Sequence, residues 1–265
     1  MSPNLATIIN YSGNYYVQTI IDDIVRSTQL GLLSECTALT NVAGMFYLCK
    51  KIPGAIPHDL FFTNDINTTY DKLTNVAELF RNCESMNQGY VDENTGVKYI
   101  CNPNLFNKCP AITSFSATFN RMYAMSGCQV HPNMFDKQSK VTTVYELFMG
   151  TPIIGSISPM MFRNCMSTLT DARKLFARTA ITGISNGFLN NGIINTKLKY
   201  IYGIFYNCTN LTGTSPTFWD GSKFTSIEGT TQGYEGALYN CTKLTNYAEA
   251  QAVSSNWVSA EDIWL

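Results

Sequence analysis

Leu73-Thr-Asn-Val-Ala-Glu-Leu-Phe-Arg-Asn-Cys83 decides the reading of this chain. Its apolar residues fall at i, i+3, i+6 and i+7, with cysteine at i+10. The same phrase returns as Leu39-Thr-Asn-Val-Ala-Gly-Met-Phe-Tyr-Leu-Cys49 and as Leu198-Lys-Tyr-Ile-Tyr-Gly-Ile-Phe-Tyr-Asn-Cys208. Copies without the cysteine run from Val141 to Phe148 and from Leu169 to Phe176. The spacing predicts one apolar face of a short helix of two to three turns.

Working outward, a second half-unit alternates with the first. It carries Gly or Pro and then a second Phe: Gly54-Ala-Ile-Pro-His-Asp-Leu-Phe61, Pro103-Asn-Leu-Phe106, Pro132-Asn-Met-Phe135 and Pro159-Met-Met-Phe162. Proline fixes φ, extends the residue before it and suits the first position of a short helix. The half-unit therefore reads as a short extended piece, a proline turn and one helical turn bearing Phe. From Phe119 to Phe218 the rhythm gives a two-part repeat of about 28 residues. Repeats of that length signal stacked supersecondary units, not a globule around a central catalytic pocket. Polar, Asn/Thr/Gly-rich insertions at Thr63–Lys72 and Gln88–Lys98 read as loops on one rim.

The expected fold class is α+β: an elongated solenoid of short strands and short helical turns. Residues 1–32 are expected to cap or dock the array, 33–246 to form it, and 247–265 to close it with a helix and tail. Leu244, Ala248, Ala252 and Val253 are the residues expected to face the last coil.

L-T-x-V-x-x-[ML]-F-x-x-C followed by x-x-I-P-x-x-[LM]-F resembles the BspA-like leucine-rich repeats of bacterial surface proteins. It also resembles related F-x-x-C repeats of gut-bacterial and phage proteins. The resemblance spans about Leu33 to Asn246. It implies a leucine-rich-repeat-like architecture and a role in adhesion or assembly.

Seven of the nine cysteines follow a bulky apolar residue at i+3: Cys36, Cys49, Cys83, Cys109, Cys165, Cys208 and Cys241. Locked to the repeat, they read as small buried hydrophobes rather than a disulfide framework. Cys101 reads as part of a buried strand. No C-x-x-C pair occurs, so a zinc site is not expected.

Net charge is −1, charged residues make up 14% and no Lys/Arg run exists, which argues against a nucleic-acid partner. The first residues, Met1-Ser-Pro-Asn-Leu-Ala-Thr-Ile-Ile-Asn10, lack the pattern of a secretory signal, and no stretch has the length of a membrane span. That favours a virion protein, which needs no export signal, over an exported adhesin.

Candidate chemistry is sparse. His58 and His131 both sit beside the proline of the second half-unit, in a slot that elsewhere holds Asn102, Ser158 and Thr217. Asp92-Glu93 is the carboxylate pair that a glycosidase would need to place across a cleft, yet it lies in a polar insertion. Gly183-Ile-Ser-Asn-Gly187 resembles part of a nucleophile elbow but fills a repeat slot. Catalytic, cofactor-binding and metal residues are therefore expected to be none. Tyr15, Tyr16, Tyr70, Tyr90, Tyr99, Tyr200, Tyr202, Trp219 and Tyr234 fall outside the core phase, and Tyr and Trp favour carbohydrate and protein interfaces. Tyr90, Asp92, Trp219, Tyr234 and the near-terminal Trp264 are the candidate partner-binding residues. The expected partners are other virion or surface proteins, or a bacterial surface glycan or protein.

Overall fold

The structure is a computed structural model and describes residues 32–34, 36–61, 67–192 and 194–260. The N-terminal segment and Trp264 lie outside the described residues.

Two series of parallel bridges organise the chain. In the first, Asn41 pairs with Asn75, Asn75 with Ser114, Ser114 with Thr143, Thr143 with Asp171 and Asp171 with Tyr200. Each pair joins one coil of the chain to the next. The second series lies half a repeat away. It contains β1 (Gly54–Ala55) on β2 (Met86–Gln88), Tyr99 on Gln129, Ser156 on Gly183, β5 (Gly183–Ile184) on β6 (Thr212–Gly213), and Gly213 on Leu244. The insertion Gln88–Lys98 folds as an antiparallel hairpin, β3 (Tyr90–Val91) on β4 (Lys98–Tyr99). Cys101 is buried but follows that strand instead of lying in it.

The repeated phrase does not form a helix. In Leu73–Cys83, Leu79 N–H donates to Val76 C=O at 3.2 Å, Arg81 to Glu78 at 3.1 Å and Cys83 to Phe80 at 3.2 Å, a chain of overlapping β-turns. Four alternate amides point sideways to the next coil: Val76 to Ser114 (3.2 Å), Glu78 to Ser116 (2.7 Å), Phe80 to Thr118 (2.9 Å) and Asn82 to Asn120 (2.9 Å). A helix would use those amides internally. Here every second amide is given to the neighbour, and the i, i+3, i+6, i+7 spacing follows from turns of three.

The conformation has a sequence-independent mark. The third residue of the first and of the last turn in each phrase has positive φ: Gly44 and Leu48, Glu78 and Asn82, Ala117 and Arg121, Glu146 and Gly150, Lys174 and Arg178, Gly203 and Asn207, Gly236 and Asn240. Left-handed residues other than Gly cost about 1–2 kcal/mol each. The inter-coil hydrogen bonds offset that cost, because a buried amide left without a partner is more expensive still.

Inside the stack the second-last apolar residue of the phrase forms a column of rings. Phe46, Phe80, Phe119, Phe148, Phe176 and Phe205 stack in order, with centroids 5.4, 5.8, 5.7, 5.6 and 5.9 Å apart and planes within 12° of parallel. A second set of rings comes from the proline half-units: Phe61 contacts Phe106 at 5.8 Å, Phe135 contacts Phe162 at 4.9 Å and Phe162 contacts Phe188 at 6.1 Å. Each fully buried Phe contributes about 1.5–3 kcal/mol.

In several coils the residue three after the ring is a hydrogen-bond donor slot as well as a packing slot. Cys83 Sγ–H donates to Phe46 C=O at 3.1 Å, Cys208 to Phe176 at 3.0 Å and Cys241 to Phe205 at 3.0 Å. Thr151 fills the slot after Phe148 and its hydroxyl donates to Phe119 C=O. In the second set, Gln138 follows Phe135 by three and its Nε2 donates to Phe106 C=O at 2.9 Å. Cys, Thr and Gln share the slot because each reaches back to the ring residue of the preceding coil. The cysteines are thus more than small hydrophobes.

The C-terminal helix, α2 (Tyr247–Val253), follows the last bridge. The one-turn α1 (Thr231–Tyr234) precedes it. Leu244 and Ala250 are the buried residues here, while Ala248, Ala252 and Val253 are exposed, against expectation. The Ser254–Trp257 turn rotates the chain so that Trp257 covers the end of the stack, with Leu238 N–H donating to Trp257 C=O at 2.9 Å.

The second ladder draws coils close enough to require glycine. Gly213 has φ +88°, and a Cβ there would stand 2.5 Å from Ile184 O. Gly213→Ala is expected to cost about 1–3 kcal/mol through backbone strain alone. Thermal melting of the variant beside Gly221→Ala, whose Cβ meets nothing within 4 Å, checks this.

Candidate functional site

The described residues hold no cluster of three or more His, Cys, Asp or Glu side chains able to bind a metal. No helix among them is long and apolar enough to cross a membrane. Eight of the cysteines are buried. Burial pushes the thiols of Cys83 and Cys165 up to about 12 and that of Cys208 to about 11, so none is a nucleophilic thiolate at neutral pH. A thiol reagent near pH 8 should therefore label at most Cys36 rapidly in the native protein and all nine cysteines after unfolding. Counting labels by mass spectrometry checks this, and fast native labelling of Cys208 or Cys241 contradicts it.

Asp92 is used by its own hairpin. Its Oδ1 accepts from Asn94 N–H at 2.9 Å and Thr95 N–H at 3.3 Å, and its carbonyl accepts from Gly96 at 2.7 Å. Glu93, beside it, is exposed on the same turn, so the two carboxyls do not face each other across a cleft. His58 is exposed in an earlier coil, whereas His131 packs edge-on against Tyr99 with centroids 4.6 Å apart. Its Nδ1 accepts from Asn133 N–H at 3.1 Å, which puts the neutral ring's proton on Nε2.

Burial lowers the His131 pKa below 6.5, with Asp92 and Asp136 acting in the opposite sense. The folded state therefore binds this proton less readily than the unfolded chain. His131's contribution is present in full above 6.5 and is lost as pH falls through 6.5 towards the folded value. Melting temperatures on either side of 6.5 should show a smaller acid loss in His131→Gln than in the native protein.

Tyr90 and Asp92 stand on the hairpin whose second strand supplies Tyr99, in register with Tyr90. Tyr99 is one wall of a groove of about 570 Å³ that follows the second ladder. Gln129, Pro132, Ser156, Ser158, Pro159 and Thr212 line it further along. No residue of this lining carries a formal charge. The sequence signal for it was the recurring Ser/Thr/Gln beside the proline of successive half-units, which reads as ordinary loop composition until the coils are stacked.

Trp219 and Tyr234 converge elsewhere. Both rings meet Trp257, at 5.6 and 4.3 Å, and Trp219 Nε1–H donates to Glu249 Oε1 at 3.1 Å. They belong to the cap of the stack, not to the hairpin surface of Tyr90 and Asp92. Tyr70 is fully buried, its hydroxyl donating to Leu33 C=O at 2.7 Å, and so leaves the set of exposed aromatics.

A polar cluster on the outside of the first ladder was not anticipated. Arg173 lies between the rings of Tyr145 and Tyr200, 5.2 and 5.3 Å from their centroids, and is held by both oxygens of Asp171 at 2.9 and 2.7 Å. Tyr200 Oη–H donates to Glu228 Oε1 at 2.8 Å. Glu146 and Lys174 form a mostly buried pair at 3.5 Å, and Asn120 Nδ2 donates to Glu146 at 3.2 Å. Asp171 and Tyr200 are themselves bridge partners, so cross-coil pairing here is set by the register and invisible in any single repeat. Most of these groups pair with one another, while Asn120 Oδ1 is buried without a hydrogen-bond partner.

No protein-family model, curated protein or solved structure matches this chain.

Proposed function

We propose that this chain is a non-enzymatic solenoid of leucine-rich-repeat-like units that acts as a structural or adhesion module. The biological setting we propose is a phage virion, as a fibre, tail or capsid-surface component that contacts a bacterial surface or neighbouring virion proteins. The observation that carries the reading is the ladder. From Asn41 to Leu244, coil after coil joins its neighbour through parallel bridges, and the repeated residues serve stacking. Repeat stacks offer extended surfaces for partners. The pairing of Arg173 with Asp171 and the use of Asp92 by its own hairpin turn support a non-catalytic role. Eight buried thiols suit assembly in a reducing compartment before release.

The test is to purify the protein from its native source and identify what accompanies it. Capsid, tail or fibre proteins at fixed stoichiometry are the expected result. Recovery in a cell-envelope fraction would instead assign it to a bacterial surface protein. Recovery alone, with a turnover activity on a glycan, would overturn the non-enzymatic reading.

A further inference from the structure

We propose that the groove along the second ladder is a binding site for a neutral, extended polysaccharide. The inference rests on the adhesion reading above and names its ligand class.

The lining decides the class. Gln129, Ser156, Ser158 and Thr212 offer amide and hydroxyl groups, Tyr99 offers a ring, and Pro132 and Pro159 offer apolar surface. A charged ligand would give up hydration there without meeting a counter-charge. An apolar ligand would cover hydroxyls without pairing them. A sugar ring carries hydroxyls around its edge and C–H groups on its faces, which complements both parts of this lining.

Hydrogen-bonding capacity remains for a ligand. Ser158 Oγ accepts from Met160 N–H at 3.2 Å, which leaves its own proton to donate. Thr212 Oγ1–H donates to Thr182 C=O at 2.7 Å, which leaves its lone pairs to accept. His131 fixes the Tyr99 ring edge-on at 4.6 Å, so the platform is preorganised.

Geometry favours an extended chain over a single sugar. Ser156, Gly183 and Thr212 are bridge partners on three successive coils. Neighbouring strands stand about 4.8 Å apart, close to the length of one pyranose unit in an extended β-linked glycan. Gly183 lets the Ser156 hydroxyl lie over the middle of that row, since a Cβ there would stand 2.2 Å from Ser156 Oγ. The groove's volume, about 570 Å³, lies inside the range of small-molecule sites of about 300–1,000 Å³.

The experiment uses the whole chain and isothermal titration with neutral β-linked hexamers of glucose, mannose, galactose and N-acetylglucosamine. A galacturonate hexamer, which has the same ring bearing a carboxylate, is the charged comparison. At least one neutral hexamer is expected to bind at least about tenfold more tightly than the uronate, a difference of about 1.4 kcal/mol. Tyr99→Ala and Gln129→Leu should each weaken that binding about tenfold or more. The Tyr47→Phe variant, altered at an exposed ring of the first phrase that does not line the groove, should bind as the native protein does. Circular dichroism melts identify any variant that has lost its fold, and Gln129→Leu keeps the test valid if Tyr99→Ala unfolds.

Absence of binding by every neutral hexamer overturns the proposal, as does uronate binding of equal strength or binding unaltered in both groove variants. Attachment to whole bacteria and co-purification with virion proteins are measured in parallel. If those persist while the groove tests fail, the groove assignment falls and the module reading stands. If they are absent as well, the module reading falls too.

Discussion

Phe148→Ala lowers stability by about 3–5 kcal/mol, the range for deleting a large buried aromatic side chain. Phe148 is fully buried and stacked on both faces, 5.7 Å from Phe119 and 5.6 Å from Phe176. The alanine leaves a cavity at a coil interface, where neighbouring coils are held apart by their ladder bonds and cannot close in. Urea unfolding followed by circular dichroism measures the loss. Phe46→Ala, in contact with Phe80 alone among the column's rings, should cost less. Phe148→Leu should recover most of the stability, because Leu238 already occupies the equivalent position in the last coil and is fully buried there. Equal losses for Phe148→Ala and Phe46→Ala would contradict an interface-by-interface account of this fold.

The second expectation concerns one hydroxyl. Thr151 Oγ1 accepts from Met122 N–H at 3.0 Å and donates to Phe119 C=O, and the residue is fully buried. Thr151→Val preserves shape and removes both bonds. Two buried backbone groups lose a partner, and each such loss costs about 1–3 kcal/mol. A drop of about 2–6 kcal/mol is therefore expected for a change of a single heavy atom. Cys208→Thr, in the equivalent slot, should be close to neutral because threonine already serves that slot at Thr151. Denaturant midpoints for the three proteins decide the matter. A neutral Thr151→Val would show that packing alone defines the slot.

Much of this was legible in the sequence, and the reasons differ from feature to feature. The period, the two alternating half-units and the phase of Phe and Cys were all readable, because stacking imposes the same apolar pattern on every coil. The helical reading of Leu73–Cys83 was not correct. Spacings of three are shared by a helix and by a chain of β-turns, and only the left-handed residues distinguish them. Those positions hold Glu78, Lys174 and Arg178 as readily as Gly44 and Gly203, so composition gives no warning. Ala250 was missed as the buried residue of α2 because the turn at Ser254, not the helix, sets how the cap meets the stack. Tyr90 and Asp92 were singled out as partner-binding candidates in a polar insertion, but of that hairpin Tyr99, not they, lines the groove. Tyr99, Gln129, Ser156 and Thr212 come together only through coil register, which no local motif records.

The sideways amides of the turn chains all point one way. Val42, Gly44, Phe46 and Leu48 donate to Asn75, Ala77, Leu79 and Arg81, and the next coils repeat the sense without reversal through Ile201, Gly203, Phe205 and Asn207. Aligned peptide units of about 3.5 D each add along a common direction. In an α-helix the amide end of that sum is N-terminal; here the amides face the C-terminal coil and the carbonyls face the N-terminal one. The turn chains are therefore electrically polar in a sense opposite to that of a helix, while ladder amides such as Thr74, Thr113 and Thr142, which donate to Thr40, Thr74 and Thr113 of the preceding coil, oppose them in part. Whatever closes the C-terminal end of the turn chains has to bring oxygen atoms, and the Ser255–Val258 3-10 helix does so, offering Asn256 O to Gly236 at 2.8 Å and Trp257 O to Leu238 at 2.9 Å.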